Sequence, residues 1–198
     1  MKLIKNLTLG TFLFVFASTA FAQDKSGASF GIKGGLNYAT VSKGDFEEGP
    51  DPRTSFHLGF MGEVPLVPRI LSLQPELLYS RQGFENTIQP FLGNSYKVTY
   101  KIDYINVPVL AKLKLGNVFS IEAGPQFGMK VSEKVESDNN VSDENDVNSF
   151  DTAIAGGLSL NFNGGAFIFG RFTQSLNEVV KDSGSKNMVI QAGIGFKM

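Results

Sequence analysis

Leu71-Ser-Leu-Gln-Pro-Glu-Leu-Leu-Tyr-Ser-Arg-Gln-Gly83 decides the fold. Read every second residue, it places Leu71, Leu73, Pro75, Leu77 and Tyr79 on one side and Ser72, Gln74, Glu76, Ser80 and Gln82 on the other. An alternation of this length marks a β-strand with one apolar and one polar face. Its apolar face needs a non-aqueous environment, and no helical pattern elsewhere supplies a cover. A closed sheet with lipid outside and polar side chains inside satisfies both faces.

The pattern repeats outward from this stretch. Before it, Ser29–Val41 sets Phe30, Ile32, Leu36 and Tyr38 against Lys33 and Asn37, and Ser55–Val67 sets Phe56, Leu58, Phe60 and Val64 against His57 and Glu63. After it come strands over 101–115, 118–131, 150–162, 166–174 and 187–198. Eight strands of about ten residues match the length of a tilted transmembrane strand. Long polar stretches (42–54, 84–99, 132–149, 175–186) alternate with tight turns at Pro68, Gly116 and Gly164. This long/short rhythm is that of an up-and-down outer-membrane barrel, and an even strand count puts both termini at the short-turn end. The fold class expected is all-β: a single antiparallel transmembrane β-barrel.

Residues 1–22 read as a cleaved signal peptide, leaving 23–198 as the barrel domain. Lys2 and Lys5 precede an apolar run from Leu7 to Phe16, and Ala20-Phe21-Ala22 sets cleavage between Ala22 and Gln23. The chain has no Cys, which excludes disulfides, thiolate metal sites and a cysteine nucleophile. Past residue 22 it carries 16 bases and 19 acids, net −3, a balance that gives no reason to expect nucleic acid.

Three strand details carry expectations of their own. Pro75 and Pro125 lie inside strands, where each removes a ladder hydrogen bond, and predict bulges or slips of register. Strand 166–174 faces Arg171 into the lumen together with Phe167 and Phe169, because Arg171 in lipid costs up to roughly 2–4 kcal/mol. Aromatics on the apolar faces form two belts, Phe30, Phe119, Phe162 and Phe196 at the short-turn end and Tyr38, Phe56, Tyr79, Phe127, Phe150 and Phe172 at the other.

Six phrases carry a resemblance: Phe30-Gly-Ile-Lys-Gly-Gly-Leu-Asn37, Phe56-His-Leu-Gly59, Leu71 to Tyr79, Tyr104-Ile-Asn-Val-Pro108, Glu122-Ala-Gly-Pro125 and Arg171-Phe-Thr-Gln-Ser-Leu176. In this order and spacing the chain resembles the porin-like outer-membrane β-barrel family of diderm bacteria, in architecture like small OmpA/OmpX-type barrels. The resemblance implies an exported single-chain barrel in the outer membrane, contacting membrane lipid and, during biogenesis, the barrel-insertion machinery. It implies no activity. Such barrels often end in an aromatic residue, whereas Phe196 here is followed by Lys197 and Met198.

Three groups of residues are candidates for chemistry. His57, the one histidine of the chain, has Ser55 and Asp51 nearby in sequence; nothing fixes a triad, and a polar residue of the lumen rim is the reading adopted. Glu133, Glu136, Asp138, Asp143, Glu144 and Asp146 lack the glycine of an EF-hand loop and read as a solvated acidic connection. Inside the barrel, Glu63, Glu76, Glu122 and Asp151 face Lys33, Lys112, Lys114, Lys130 and Arg171. Isolated charges there are costly and should pair. The expected arrangement sets Lys33 beside Glu63, Lys112 beside Glu76 and Glu122, and Arg171 across as a bidentate partner.

The function expected is that of a monomeric outer-membrane barrel with a structural or surface-interaction role. Lys33, Glu63, Glu76, Lys112, Glu122 and Arg171 would fill its lumen, and four outer loops would meet an unidentified ligand. No cofactor or metal site is expected. The alternatives are a narrow channel or a lipid-modifying enzyme at the rim.

Overall fold

A computed structural model describes residues 27–42, 50–88, 96–137, 140–142, 147–179 and 184–198. The expected signal segment, with Ala22 and Gln23, lies outside the described residues.

Eight long strands close into a ring: β1 (Ser29–Val41), β2 (Asp51–Val67), β3 (Leu71–Ile88), β4 (Tyr96–Leu115), β5 (Phe119–Ser137), β7 (Phe150–Asn161), β8 (Ala166–Ser175) and β9 (Asn187–Lys197). A three-residue strand, β6 (Asn140–Ser142), pairs only with the end of β5. Each long strand is antiparallel to its sequence neighbours, and β9 closes on β1 from Gly31↔Lys197 to Val41↔Asn187. A closed ring leaves no edge strand, so every ladder is satisfied within the sheet. Among the described residues no helix is long and apolar enough to cross a membrane; this chain crosses with strands.

The wall is inside-out relative to a water-soluble protein. Ile194 is 69% exposed and Leu36 61%, while Lys33 is 4% and Arg171 2% exposed. An apolar band this continuous is stable only against lipid. Aromatics border it at both ends: Phe30 stacks on Phe60 at 5.8 Å, and Phe56 meets Tyr79 at 6.0 Å.

Four long connections gather at one end and three tight turns at the other. The tight turns use left-handed backbone at Arg69 (φ 65°), Gly116 (φ 77°), Gly164 (φ 88°) and Gly165 (φ 91°). At Gly165 a Cβ would also lie 2.2 Å from the Lys197 carbonyl oxygen, so glycine is required there for space as well as for φ.

The strands run further than the alternation predicts. β2 begins at Asp51 rather than Ser55, β3 continues to Ile88, β4 starts at Tyr96 rather than Lys101, and β5 reaches Ser137. The connections shorten to 42–50, 89–95, 138–149 and 176–186 accordingly. Above the aromatic belt the outward face turns charged. Arg81 forks onto Asp103 (Nε–Oδ1 2.8 Å, Nη2–Oδ2 3.1 Å), Lys101 pairs with Glu136, and Lys97 with Glu85. Outside the membrane band, the hydrogen bond from Lys101 holds the Glu136 carboxyl below the usual range. Water replaces lipid on this face, and the backbone ladder continues regardless.

The prolines do not make bulges. Across Pro75 the β3–β4 register is the same at Gln74↔Leu110 and Leu78↔Asn106, and Pro125 sits in an unbroken β5–β7 register opposite Ile154. A missing N–H removes one rung without adding a residue, so the register is kept. The irregularities fall instead between Pro52 and His57, between Pro65 and Val67, and at Asp103/Tyr104. Phe167, Phe169 and Arg171 all point inward. The rings fit because β9 presents glycine beneath them: Phe167 Cζ and Phe169 Cζ lie 2.2 and 2.9 Å from where Cβ atoms of Gly195 and Gly193 would stand.

Candidate functional site

The lumen holds a set of buried charged side chains, arranged in tiers along the barrel. Nearest the tight turns, Glu63 gathers three ammonium groups: Lys114 at 2.5 Å, Lys197 at 3.2 Å and Lys112 at 3.5 Å, with Ser72 Oγ donating at 3.3 Å. β2, β4 and β9 supply these groups, and each faces inward because its strand neighbours are apolar and face lipid.

The middle tier is the densest. Arg171 of β8 reaches across to β3, donating from Nη1 and Nη2 to the two carboxylate oxygens of Glu76, each at 2.7 Å. The same guanidinium donates to Glu122 Oε1 of β5 from Nε at 3.0 Å and Nη2 at 2.5 Å. Lys33 donates to Glu76 at 3.2 Å and lies 3.7 Å over the Phe169 ring. Two cations thus meet two carboxylates in a tier that is almost fully buried. Bidentate charge-assisted bonds of this kind are among the stronger polar contacts in proteins.

The pairing differs from the expected one in two places. Lys33 meets Glu76 and not Glu63, because β1 sets Lys33 opposite Gly59 while Glu63 stands opposite Ser29. Lys112 stands directly opposite Glu122 across the β4–β5 ladder, as expected, but its ammonium bonds to Gln74 Oε1 (3.0 Å) and reaches Glu63 rather than Glu76. Gln74, which the sequence reading placed inside but gave no role, is the hinge of the tier: its Nε2 donates to Glu76 (2.6 Å) and Glu122 (3.1 Å) while its oxygen accepts from Lys112. Its inward parity was readable; its three partners were not.

Above lies a neutral tier. Asn37 is its hub, donating to Phe56 O, Ser80 Oγ and Arg81 O and accepting from Gln191 Nε2 at 3.0 Å. His57 Nδ1 lies 2.7 Å from Asn37 Oδ1, and its ring is edge-on to Phe169 at 5.6 Å. The carbonyl acceptor assigns the proton to Nδ1. Ser55 Oγ donates instead to Arg81 O, and Asp51 stands opposite Glu85, so the three are not brought together.

An apolar lid closes the long-connection end. Val41, Phe84, Ile102, Tyr104, Val147 and Val179 form one buried cluster. It is tied down where the connections cross: Lys130 Nζ donates to Val147 O (2.7 Å) and to Glu133 (2.5 Å), and Asn148 N donates to Val179 O (2.8 Å). Glu133 and Glu136 are therefore engaged by lysines. Asp138, Asp143, Glu144 and Asp146 lie outside the described residues. Among the described residues no three His, Cys, Asp or Glu side chains come together as metal ligands.

A ring of eight antiparallel strands with an apolar exterior and an ion-paired interior defines an integral membrane β-barrel. The profile of the family described as outer membrane protein beta-barrel domain matches residues 21–181, and the chain belongs to that family and resides in the outer membrane. No curated protein sequence matches it. Among solved structures it is similar to Neisserial surface protein A (NspA), with TM-score 0.60 and 14% identity over 87% of this chain and 99% of that one. It is also similar to Ail, the attachment invasion locus protein of Yersinia pestis, with TM-score 0.53 and 14% identity over 86% and 99% of the two chains. The complex of Ail with the heparin analogue sucrose octasulfate gives a TM-score of 0.51 at 14% identity, over 86% of this chain and 99% of that one. At these identities the likeness is one of fold.

Proposed function

We propose that this protein is a closed-lumen, monomeric barrel that works through the surface it displays and has no catalytic role. Its strands hold four connections outside the cell, where they meet their partner, and membrane lipid and the insertion machinery are its other contacts. The observation that carries this reading is the double closure of the lumen. The Arg171–Glu76–Glu122 tier spans the barrel from β8 to β3 and β5, and the apolar lid covers the same path higher up. An eight-stranded interior is just wide enough for side chains to fill.

The long connections bias the partner. Over 42–50, 89–95, 138–149 and 176–186 they carry 3 bases and 9 acids, net −6. The heparin analogue solved with Ail is a polyanion, and a field of this sign repels such a ligand. A basic or cation-bridged partner suits these connections.

Purified protein in a planar bilayer is expected to show no steady conductance. A large, stable, ion-selective current would replace the reading with that of a narrow channel. Orientation has its own test. A tag inserted after Glu144 is expected to be reached by antibody on intact cells, and labelling only after the outer membrane is broken would reverse the barrel.

A further inference from the structure

Asp151 stands apart from every other buried acid. Glu63, Glu76, Glu122 and Glu133 each have a Lys or Arg at ion-pair distance. Among the described residues, Asp151 is the one deeply buried carboxylate without such a partner. Ser175 Oγ donates to its Oδ2 at 2.8 Å, and its Oδ1 makes no hydrogen bond within the protein. The nearest base along β5, Lys130, is held by Glu133 and Val147 O.

Two further polar side chains surround the same spot. Asn106 and Asp151 lie opposite Gly128 from its two sides, in the registers Asn106↔Gly128 and Gly128↔Asp151. Gln126 precedes Gly128 by two residues on the same inward face, diagonal to both. Diagonal neighbours in a sheet stand roughly 7–8 Å apart, a span that terminal oxygens bridge through one shared ion. Gln126 Oε1 and Asn106 Nδ2 also make no hydrogen bond within the protein, and Asp151, Gln126 and Asn106 are 6%, 4% and 2% exposed. Gly128 lets these groups close in on the backbone: a Cβ there would lie 2.7 Å from Asn106 Oδ1, 3.4 Å from Asp151 Cβ and 3.5 Å from the Tyr104 ring.

We propose that Asp151, Gln126 and Asn106 bind one small alkali cation beside Gly128, on the inner face of the barrel wall. An ionised carboxylate buried without compensation is costly, and one monovalent cation cancels its single charge. Asp151 Oδ1, Gln126 Oε1 and Asn106 Oδ1 are its protein ligands, and Asn106 Nδ2 donates to a water in its shell. A divalent ion would leave a net positive charge buried beside the single carboxylate, so a monovalent ion is the one this site neutralises. Burial beside Tyr104 means that the ion is taken up as the barrel folds.

The test is to refold the mature chain in detergent in lithium, sodium, potassium or N-methylglucamine chloride at equal ionic strength. The urea unfolding midpoint is expected to be higher in at least one alkali salt than in N-methylglucamine. Asp151→Asn and Gly128→Val are expected to abolish that difference, whereas Ser72→Ala, in the lowest tier, keeps it. Should a variant fail to fold, the unmutated protein refolded with thallium(I) is expected to give a bound thallium NMR resonance that potassium or sodium displaces. Equal midpoints in all salts with no bound resonance would overturn the proposal, as would a cation effect that survives in Asp151→Asn. Ion binding is read here, not conduction, so this proposal and the closed-lumen reading fail separately.

Discussion

Glu76→Ala is expected to lower the urea unfolding midpoint of the refolded barrel more than any single change in its long connections. Glu76 accepts from both ends of the Arg171 guanidinium, from Lys33 and from Gln74. Without it, the middle tier holds two cations and one carboxylate. Lys33 keeps only the Phe169 ring and the distant field of Glu122. Breaking a buried pair by removing one partner costs about 3–5 kcal/mol, less where water enters. An acid of the polar connections, such as Asp143, is expected to contribute on the scale of a surface charge, about 0–1 kcal/mol. Equal midpoints for Glu76→Ala and Asp143→Ala would mean that the tier is hydrated and contributes little. A midpoint change at constant slope is the form expected, since the surface exposed on unfolding is nearly unchanged.

Leu158→Arg is expected to destabilise the barrel by roughly 2–4 kcal/mol in a bilayer, because it puts a charge near the middle of the lipid band. Leu158 faces outward, 50% exposed, on β7 within the span between Phe150 and Phe162, eight residues from the first and four from the second. Phe162→Arg, at the short-turn belt, is expected to cost only roughly 0–1 kcal/mol because the guanidinium reaches the interface. Refolding into bilayers of matched thickness with a denaturant titration gives both values. A cost at Phe162 equal to that at Leu158 would place the lipid band elsewhere on the wall.

These two expectations use different levels of the chain. Leu158 could be assigned to lipid from its own neighbours, since period two is set by the pleat of a single strand. The same rule put Arg171 inside and carried Phe167 and Phe169 with it. It fails above the belt, at Asp51, Tyr96 and Ser137, where the outward face meets water and apolar side chains such as Val98, Ile102 and Val135 are buried on the inner face. There the strand is charged outside and apolar inside, the inverse of the pattern in the lipid band, so these segments read as loop. It fails also at Pro75 and Pro125, where proline removes a rung and leaves the register unchanged. The lid was illegible for a related reason. Val147 and Val179 sit in connections with no periodicity, and only the folding of those connections over the mouth brings them onto Phe84 of β3.

What the sequence determined by itself is local: which residues are strand, which way each points, how many strands there are and at which end each turn lies. These follow from the pleat, the cost of charge in lipid and turn chemistry, all of which act within a few residues. What only the tertiary structure decided is which inward groups meet. Glu76 and Arg171 are 95 residues apart, and Glu76 and Lys33 are 43. The stagger of the strands around the barrel sets them at one height, gives Glu63 to three lysines and leaves Asp151 opposite Gly128 without a base. Parity places a charge in the lumen; the register of eight strands chooses its partner, and register is a property of the closed ring that no single strand contains.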